Sequence, residues 1–252
     1  MALELAGATD VGRKRDHNED ALVLLPEHDA AVVCDGMGGH EAGEVASGIA
    51  VETVQKFFKI AADGDATWPF RFDKALDEPS NLLTVAAQWS NQRIRDAAAE
   101  ESGKKRGMGT TYVGMMVRAG FAWFGWVGDS RGYHLRGDQI TPTTSDHSLL
   151  NELIKTGRMT EQDIATFQHK NIITRALGMA DETRVDVTKV EVRPGDVCLV
   201  CCDGLTGMLT DQEIAAIVAG EPDLKKAAQK LIDAANAAGG LDNITVALGR
   251  VG

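Results

Sequence analysis

Three short runs of β-branched and aromatic residues follow one another with little between them: Thr110–Val117, Phe121–Val127 and Arg131–Arg136. Each run has the composition of a β-strand, and Arg118-Ala119-Gly120 between the first two is typical of a hairpin connection. Parallel neighbours would need a crossover of about a dozen residues or more, which these links cannot supply. The chain must therefore contain an antiparallel sheet.

Further strands and helices fall into groups along the chain. Strand patterns occur at Ala21–Leu25, Ala30–Cys34, Arg184–Val192, Asp196–Cys202 and Asn243–Leu248. Apolar stripes with helical spacing predict helices at Glu41–Phe58, at Ser80–Glu100, from the Thr210–Glu213 capping box to Val218, and at Pro222–Ala237. Grouped strands and grouped helices are typical of the α+β class rather than of alternating α/β folds.

Two stretches lack a clear periodicity. Ala61–Pro79 is predicted to be a long connection, and Thr141–Lys170 a loop-like insertion with one short helix around Leu149–Ile154. The 252 residues can bury a core of their own, and no repeat or proline-rich linker divides them. We therefore predict a single domain over residues 1–252, with the insertion at about 141–170.

Composition narrows the partners and the compartment. The formal charge is −11, from 37 acidic and 26 basic residues, which disfavours nucleic acid or an anionic membrane as a partner. The apolar run Val197–Cys202 is too short to span a bilayer, and the opening MALELAGATDVG shows no secretory signal. The cysteines all lie in strand-like runs, which favours a reduced, cytoplasmic protein over a disulfide scaffold. They are Cys34, Cys198, Cys201 and Cys202.

Five aspartates stand beside predicted strand ends. Asp20 precedes ALVLL, Asp35 follows AAVVC, and Asp129 follows FAWFGWV after one glycine; Asp203 follows VCLVCC, and Asp242 stands just before NITVAL. One aspartate at a strand end is ordinary turn chemistry. Strand ends can converge on one edge of a sheet, however, and clustered carboxylates repel one another unless a cation compensates. Oxygen ligands of this kind favour Mg²⁺ or Mn²⁺ over Zn²⁺.

Six short strings carry a resemblance to a known family: NED (18–20), DGMGG (35–39), GTT (109–111), GDSR (128–131), DG (203–204) and DN (242–243). In this order and spacing they resemble the PP2C-type metal-dependent serine/threonine phosphatases, in a compact bacterial form, from about Gly7 to Val246. The resemblance implies a four-layer α-β-β-α sandwich of two antiparallel sheets flanked by helices. It also implies a binuclear Mg²⁺ or Mn²⁺ centre at one edge.

The resemblance assigns the ligands of that centre. Asp35 would bridge the two ions, and the carbonyl oxygen of Gly36 would bind one of them. Asp20 would serve one ion, while Asp203 and Asp242 would serve the other.

Further positions receive roles from the same resemblance. Glu19 would act on an ion through a water molecule, and Asp129, with Asp203, would hold a third, weaker ion. Arg15 would bind the phosphate, for which its planar guanidinium offers two donors; it also belongs to an ordinary basic run at 13–15. Two ions about 3.5–4 Å apart would activate a bridging water for in-line displacement without a phosphoenzyme.

The general acid and the substrate contacts stay open. Some eukaryotic members have a histidine where this chain has Met37; His40 is one substitute and a water on the metal is another. The insertion, from about Asp146 to Lys170, takes the place of the mobile flap of bacterial relatives. There Asp146, His147 and Ser148 either reach the substrate or only begin a helix.

Other mechanisms fit the sequence less well. A cysteine-dependent phosphatase needs an arginine six positions after its nucleophile, and the residues there are His40, Gly204, Gly207 and Met208. A phosphate loop of the G-x-x-x-x-G-K-[ST] type is absent from the sequence. We therefore expect a monomeric phosphatase of phosphorylated proteins that opposes a bacterial serine/threonine kinase. A phosphatase of small phosphate esters and an inactive phosphoprotein-binding module are the alternatives.

Overall fold

The strands form two antiparallel sheets in the computed structural model, which describes residues 3–38, 42–63, 67–70, 72–100, 107–159 and 172–252. The strands are β1 (Leu3–Asp10), β2 (Asp20–Leu25), β3 (Ala30–Met37), β4 (Gly109–Thr110), β5 (Tyr112–Arg118), β6 (Phe121–Val127), β7 (Arg131–Arg136), β8 (Gln139–Pro142), β9 (Asp186–Glu191), β10 (Val197–Cys201) and β11 (Ile244–Val251). Sheet I has the order β1-β11-β10-β7-β8, and sheet II the order β2-β3-β5-β6-β9, with β4 paired to β3. The short links between β5, β6 and β7 thus connect antiparallel neighbours within sheet II and then carry the chain across to sheet I.

Helices cover the outer faces of both sheets. They are α1 (Ala42–Ala62), α2 (Glu78–Glu100), α3 (Leu149–Lys155), α4 (Asp203–Thr206), α5 (Asp211–Ala219) and α6 (Leu224–Ala237). Phe57 of α1 and Leu83 of α2 belong to the core on sheet II, and Leu231 of α6 to the core on sheet I. A third core, with Val33 and Val200, fills the space between the sheets. The predicted four-layer α-β-β-α sandwich is confirmed.

The apolar run of β10 shows why its sequence carries no polar alternation. Leu199 and Cys201 face α5 and α6, while Cys198 and Val200 face sheet II. Because successive side chains of a strand point to opposite faces, a strand buried on both sides needs apolar residues throughout.

Some elements differ from the sequence prediction. β1 was not predicted, because Leu3–Asp10 contains a glycine and only Leu3 and Ala6 of its eight residues are buried; pairing along the whole of β11 holds it in the sheet. Thr141 and Pro142, assigned to the insertion, complete β8 opposite β7. The four-residue helix α4 was also missed. Residues 160–170 of the predicted insertion lie outside the described residues.

The helix ends follow their capping chemistry. The predicted capping box opens α5, since Thr210 Oγ1 accepts from the Glu213 N–H at 3.3 Å and Glu213 Oε2 accepts from the Thr210 N–H at 2.8 Å. Asp77 caps α2 by accepting from the Ser80 N–H at 3.1 Å. Within the described ranges, every helix is too short or too polar to cross a bilayer.

Candidate metal centre

Both sheets deliver aspartates to one edge of the sandwich. Asp20 opens β2 and lies directly opposite Asp35 of β3, while Asp203 follows β10 and Asp242 precedes β11. Asp129 lies in the crossing from β6 of sheet II to β7 of sheet I. The structure therefore brings the five predicted aspartates together, close enough for Asp20, Asp203, Asp129 and Asp242 all to raise the pKa of Asp35.

Asp20 has one carboxylate oxygen with a partner and one without. Its Oδ2 accepts from Thr245 Oγ1 at 2.7 Å, whereas its Oδ1 is buried and has no hydrogen-bond partner in the described part of the chain. Burial, reinforced by Asp203 and Asp242, raises its pKa to about 7, although the Thr245 hydroxyl opposes the shift. A buried anionic oxygen without a partner is costly, and a cation would relieve that cost.

The backbone of Asp35 is fixed by the GTT string. The Asp35 N–H donates to Thr111 Oγ1 at 2.9 Å, and the Asp35 carbonyl accepts from Thr111 N–H and from Thr110 Oγ1, both at 2.8 Å. Burial and then Asp20 raise the pKa of the Asp35 carboxyl well above its usual value. Two like-charged groups opposite each other on adjacent strands destabilise the sheet unless charge is removed or compensated.

Asp203 and Asp129 continue the acidic cluster toward solvent. Burial and Asp242 raise the pKa of Asp203, even though a hydrogen bond with Asp35 lowers it. Burial and Asp203 raise the pKa of Asp129 to about 7. Asp129 Oδ1 is a second buried oxygen with no partner among the described residues.

The Gly36 position requires a glycine. Its N–H donates to the Glu19 carbonyl at 3.1 Å, and a Cβ here would overlap the backbone carbonyl oxygens of Gly43 and Glu19. This close approach brings β3, α1 and the loop before β2 together around the cluster. Burial raises the pKa of the Glu19 carboxyl, while Arg15 opposes the shift.

Arg15 lies at the exposed rim of the cluster. Its Nη2 donates to Asp242 Oδ2 at 2.8 Å, and the two side chains are 50% and 37% exposed. An ion pair this exposed contributes only about 0–1 kcal/mol. The guanidinium can therefore exchange Asp242 for another anion at little cost.

A cleft of about 520 Å³ opens beside the cluster. Its lining includes Asp129, Asp203 and Asp242, and also Asp146 and Ser148 from the start of the insertion. Arg131 holds Asp146 in a two-pronged ion pair, with Nε–Oδ1 at 2.9 Å and Nη2–Oδ2 at 2.7 Å.

The remaining sequence candidates fall in different places. Ser148 caps α3, where it accepts from the Asn151 N–H at 3.3 Å, and His147 is buried behind the cleft with 6% of its surface exposed. Met37 pairs with Gly109 at the end of β3. His40 lies outside the described residues.

Sequence analysis missed the residues that support this cluster. Asn243 accepts from the Glu19 N–H at 2.8 Å and donates to the carbonyls of Val11 and His17, both at 2.9 Å, so that it fixes the loop that carries Arg15. Thr245 supports Asp20 in the same way. The second letter of the DN string was the available signal for Asn243, whereas Thr245 lies in none of the quoted strings.

The donor set suits a hard divalent cation. Buried oxygens of Asp20 and Asp129 have no partner among the described residues, and burial, followed by neighbouring carboxylates, raises the pKa values of Asp20 and Asp35. Cys202 Sγ also lies within 4.8 Å of ligand atoms of Asp20 and Asp35. It is engaged as a thiol, since it accepts from the Thr245 N–H at 3.0 Å and donates to the Asn243 carbonyl at 3.4 Å. Burial raises its pKa, which disfavours the thiolate that binds soft metals.

Comparison with known proteins identifies this arrangement. A family model described as protein phosphatase 2C matches residues 11–244. The chain belongs to the protein phosphatase 2C family. The protein phosphatase PhpP of Streptococcus pneumoniae is 36% identical over 249 residues, which cover 98% of this chain and 96% of that protein.

Solved structures of the family share the whole fold. A Streptococcus agalactiae serine/threonine phosphatase has a TM-score of 0.84 at 35% identity and covers 99% of this chain and 100% of its own. The catalytic domain of the phosphatase PstP, solved with two manganese ions, has a TM-score of 0.80 at 30% identity and covers 99% and 98%. The predicted family, the fold, the class of metal-dependent serine/threonine phosphatase and the divalent-metal requirement are confirmed.

Proposed function

We propose that this protein removes phosphate from phosphoserine and phosphothreonine in proteins at the acidic edge of the sandwich. The observation that carries the proposal is the convergence of carboxylates from both sheets, where oxygens of Asp20 and Asp129 are buried and have no partner in the described ranges. When bound, a pair of Mg²⁺ or Mn²⁺ ions supplies an activated water and neutralises charge at the phosphoryl group.

Each residue has a proposed part in holding that pair. Asp35, which lies opposite Asp20 and hydrogen-bonds with Asp203, would be shared by the two ions, and the Gly36 carbonyl would be a further ligand. Asp20 would serve one ion, and Asp203 with Asp242 would serve the other. The hydrogen bonds that fix Asp35 and Asp20 support this assignment, because ligands held in place lose little entropy on binding.

The substrate phosphate is proposed to bind Arg15. The exposed Arg15–Asp242 pair is weak enough to open, and a guanidinium binds two phosphate oxygens at once. Glu19 would act on an ion through a water molecule, and Asp129 and Asp203 would hold a third ion. The insertion from about Asp146 to Lys170, which the structure describes only as far as Met159, would contact the substrate. Asp146 and Ser148 line the cleft, which supports the last of these assignments.

The cellular setting extends the same proposal. We propose a monomer that opposes a serine/threonine kinase in the cytoplasm. The four cysteines are free and buried, which suits a reducing compartment.

Hydrolysis of a phosphothreonine peptide tests the proposal. Phosphate release is measured with Mn²⁺, with Mg²⁺ and with excess chelator, for the wild type and for Asp35→Asn and Asp203→Asn. We expect release that requires the metal and falls by several orders of magnitude in both variants. Asp233→Asn, on the exposed face of α6, is the matched control and should behave as the wild type.

Two other outcomes would replace the proposal. Hydrolysis of p-nitrophenyl phosphate without hydrolysis of any phosphopeptide would indicate a phosphatase of small esters. A folded protein that binds Mn²⁺ and phosphopeptide but releases no phosphate would indicate an inactive binding module.

A further inference from the structure

The position of the Asp129 carboxylate depends on one unusual peptide unit. Gly128, directly before it, has φ of +109°, and a Cβ at this residue would lie 2.8 Å from Thr111 Cγ2. Asp129 Oδ1 is buried without a partner among the described residues. No hydrogen bond therefore holds this oxygen within the described part of the chain, and its direction depends on the backbone of the turn.

His147 holds this turn through two hydrogen bonds. Its side-chain Nδ1 accepts from the Gly128 N–H at 3.0 Å, and its backbone N–H donates to the Gly128 carbonyl at 2.8 Å. The ring is stacked on Trp126, with 6.0 Å between the centroids and 16° between the planes. Both polar groups of Gly128 are thus held by one buried residue.

The second ring nitrogen is anchored to sheet II. Because an amide N–H can only donate, Nδ1 carries no proton, and Nε2 must carry it. Nε2 lies 3.0 Å from Asp186 Oδ2 at the start of β9, which accepts this proton. Arg175 lies 3.1 Å from Nε2; its Nη1 donates to the Arg184 carbonyl at 3.2 Å and pairs with Asp186 at 3.3 Å.

The same histidine ties down the base of the insertion. The Thr174 N–H donates to the His147 carbonyl at 2.8 Å, and the Leu149 N–H donates to the Ile172 carbonyl at 2.8 Å. Residues 147–149 and 172–174 are therefore hydrogen-bonded to each other next to the Asp129 turn.

We propose that His147 is a positioning residue that sets the affinity of the third ion by fixing the Gly128–Asp129 peptide through Nδ1. The inference rests on the role proposed above for Asp129. In this role His147 would touch neither ion nor substrate and would act only through the Gly128–Asp129 peptide. Its two ring nitrogens have separable tasks: Nδ1 aims Asp129, and Nε2 fastens the histidine to β9.

Two substitutions separate these tasks. In His147→Asn the side-chain oxygen can take the place of Nδ1 and accept from Gly128, but the residue is too short to reach Asp186. In His147→Gln the amide can take the place of Nε2 and reach Asp186, but the Gly128 N–H loses its acceptor. If His147 served only to fasten this segment to β9, glutamine would be the better substitute. If Nδ1 positions Asp129, as proposed, asparagine is the better substitute.

Mn²⁺ binding is measured directly by the electron paramagnetic resonance signal of the free ion, in a titration extended to millimolar Mn²⁺. We expect the wild type and His147→Asn to bind a weak third ion with similar affinity. His147→Gln should weaken that ion by about 10- to 100-fold, as loss of a residue supporting a ligand typically does, and leave the two tight ions in place. Asp129→Asn removes a proposed ligand of the third ion, so the binding that this variant loses identifies the part of the titration that belongs to that ion.

Several results would overturn the proposal: a third ion bound equally well in both His147 variants, one weakened only in the asparagine variant, or no third ion in the wild type. Asp186→Asn provides the test if neither His147 variant folds, because it changes the partner of His147 Nε2 and leaves the contact of Nδ1 with Gly128 in place. We expect this variant to bind the third ion with the affinity of the wild type; weaker binding of that ion would contradict the inference. Wild-type protein that binds three ions but hydrolyses no phosphopeptide would refute the proposed function while the binding data still decide the role of His147.

Discussion

Asp20 and Asp35 face each other across β2 and β3, and a pair of like charges in that position opposes folding. The pKa of Asp20 is raised to about 7, chiefly by burial, so its ionised form is a burden on the metal-free protein at neutral pH. Asparagine at this position keeps an acceptor for Thr245 and gains an N–H that can donate to Asp35. We therefore expect Asp20→Asn to be more stable than the wild type in excess chelator.

The expected gain is about 2–4 kcal/mol, since each pKa unit corresponds to about 1.4 kcal/mol. Thermal unfolding followed by circular dichroism should show a melting temperature higher by roughly 5–10 °C in chelator. The same variant should lose most of the stabilisation that Mn²⁺ gives the wild type. Asp233→Asn is the control for removal of one negative charge; a chelated Asp20→Asn less stable than the wild type would contradict the repulsion argued here.

At the scale of the elements, the start of strand β10 is fixed to its neighbour β7 by a different buried aspartate. Asp196 is 5% exposed at its side chain and accepts from Arg136 Nε at 3.0 Å, Arg136 Nη2 at 2.7 Å and the Arg193 N–H at 3.0 Å, with His134 Nε2 at 2.8 Å. Although burial alone would raise it, these bonds, led by Arg136 and His134, lower the pKa of Asp196 to about 2.

A depressed folded pKa means that this carboxylate stabilises the protein above about pH 4 and that the contribution is lost as the pH falls through about 2. We expect Asp196→Asn to lower the free energy of unfolding by about 2–4 kcal/mol at neutral pH, because the Arg136 guanidinium loses its anionic partner and the other donors around Asp196 lose a charged acceptor. Urea unfolding measures the change. Asp138→Asn, in the exposed turn between β7 and β8, should have almost no effect, and metal-dependent activity per folded molecule should be unchanged in both.

Elements could be predicted from the sequence where local pattern and burial agree. In the buried strand β10 every residue is apolar, and in helix α6 the apolar residues recur at helical spacing, so that the sequence pattern alone predicts both elements. β1 has no such pattern, because its place is fixed by pairing with β11 at the far end of the chain. The five clustered aspartates could be predicted because each adjoins a strand. Supports such as Thr245, which bonds Asp20 across 225 positions, become visible only when the sheets are assembled.

At the scale of the whole molecule, the acidic edge makes stability depend jointly on pH and metal. The folded pKa values of Asp20 and Asp129 are raised to about 7, in both cases chiefly by burial. Groups with raised folded pKa values contribute stability that is complete below the unfolded value, near 4, and is lost as the pH rises through about 7. Divalent ions need the ionised forms, so their stabilising effect grows over the same range.

Melting temperatures between about pH 5 and pH 8 should therefore diverge: falling with pH in chelator and holding or rising with pH in Mn²⁺. The net charge of −11 acts in the same direction in chelator, since self-repulsion grows as carboxylates ionise. The double variant Asp20→Asn/Asp129→Asn separates the effect of these two groups from that of the overall charge, because it changes the net charge by only two while removing the two carboxyls whose pKa values are raised to about 7. Its chelated melting temperature should vary less with pH than that of the wild type. An equal slope in the two proteins would exclude Asp20 and Asp129 as the source of the pH dependence.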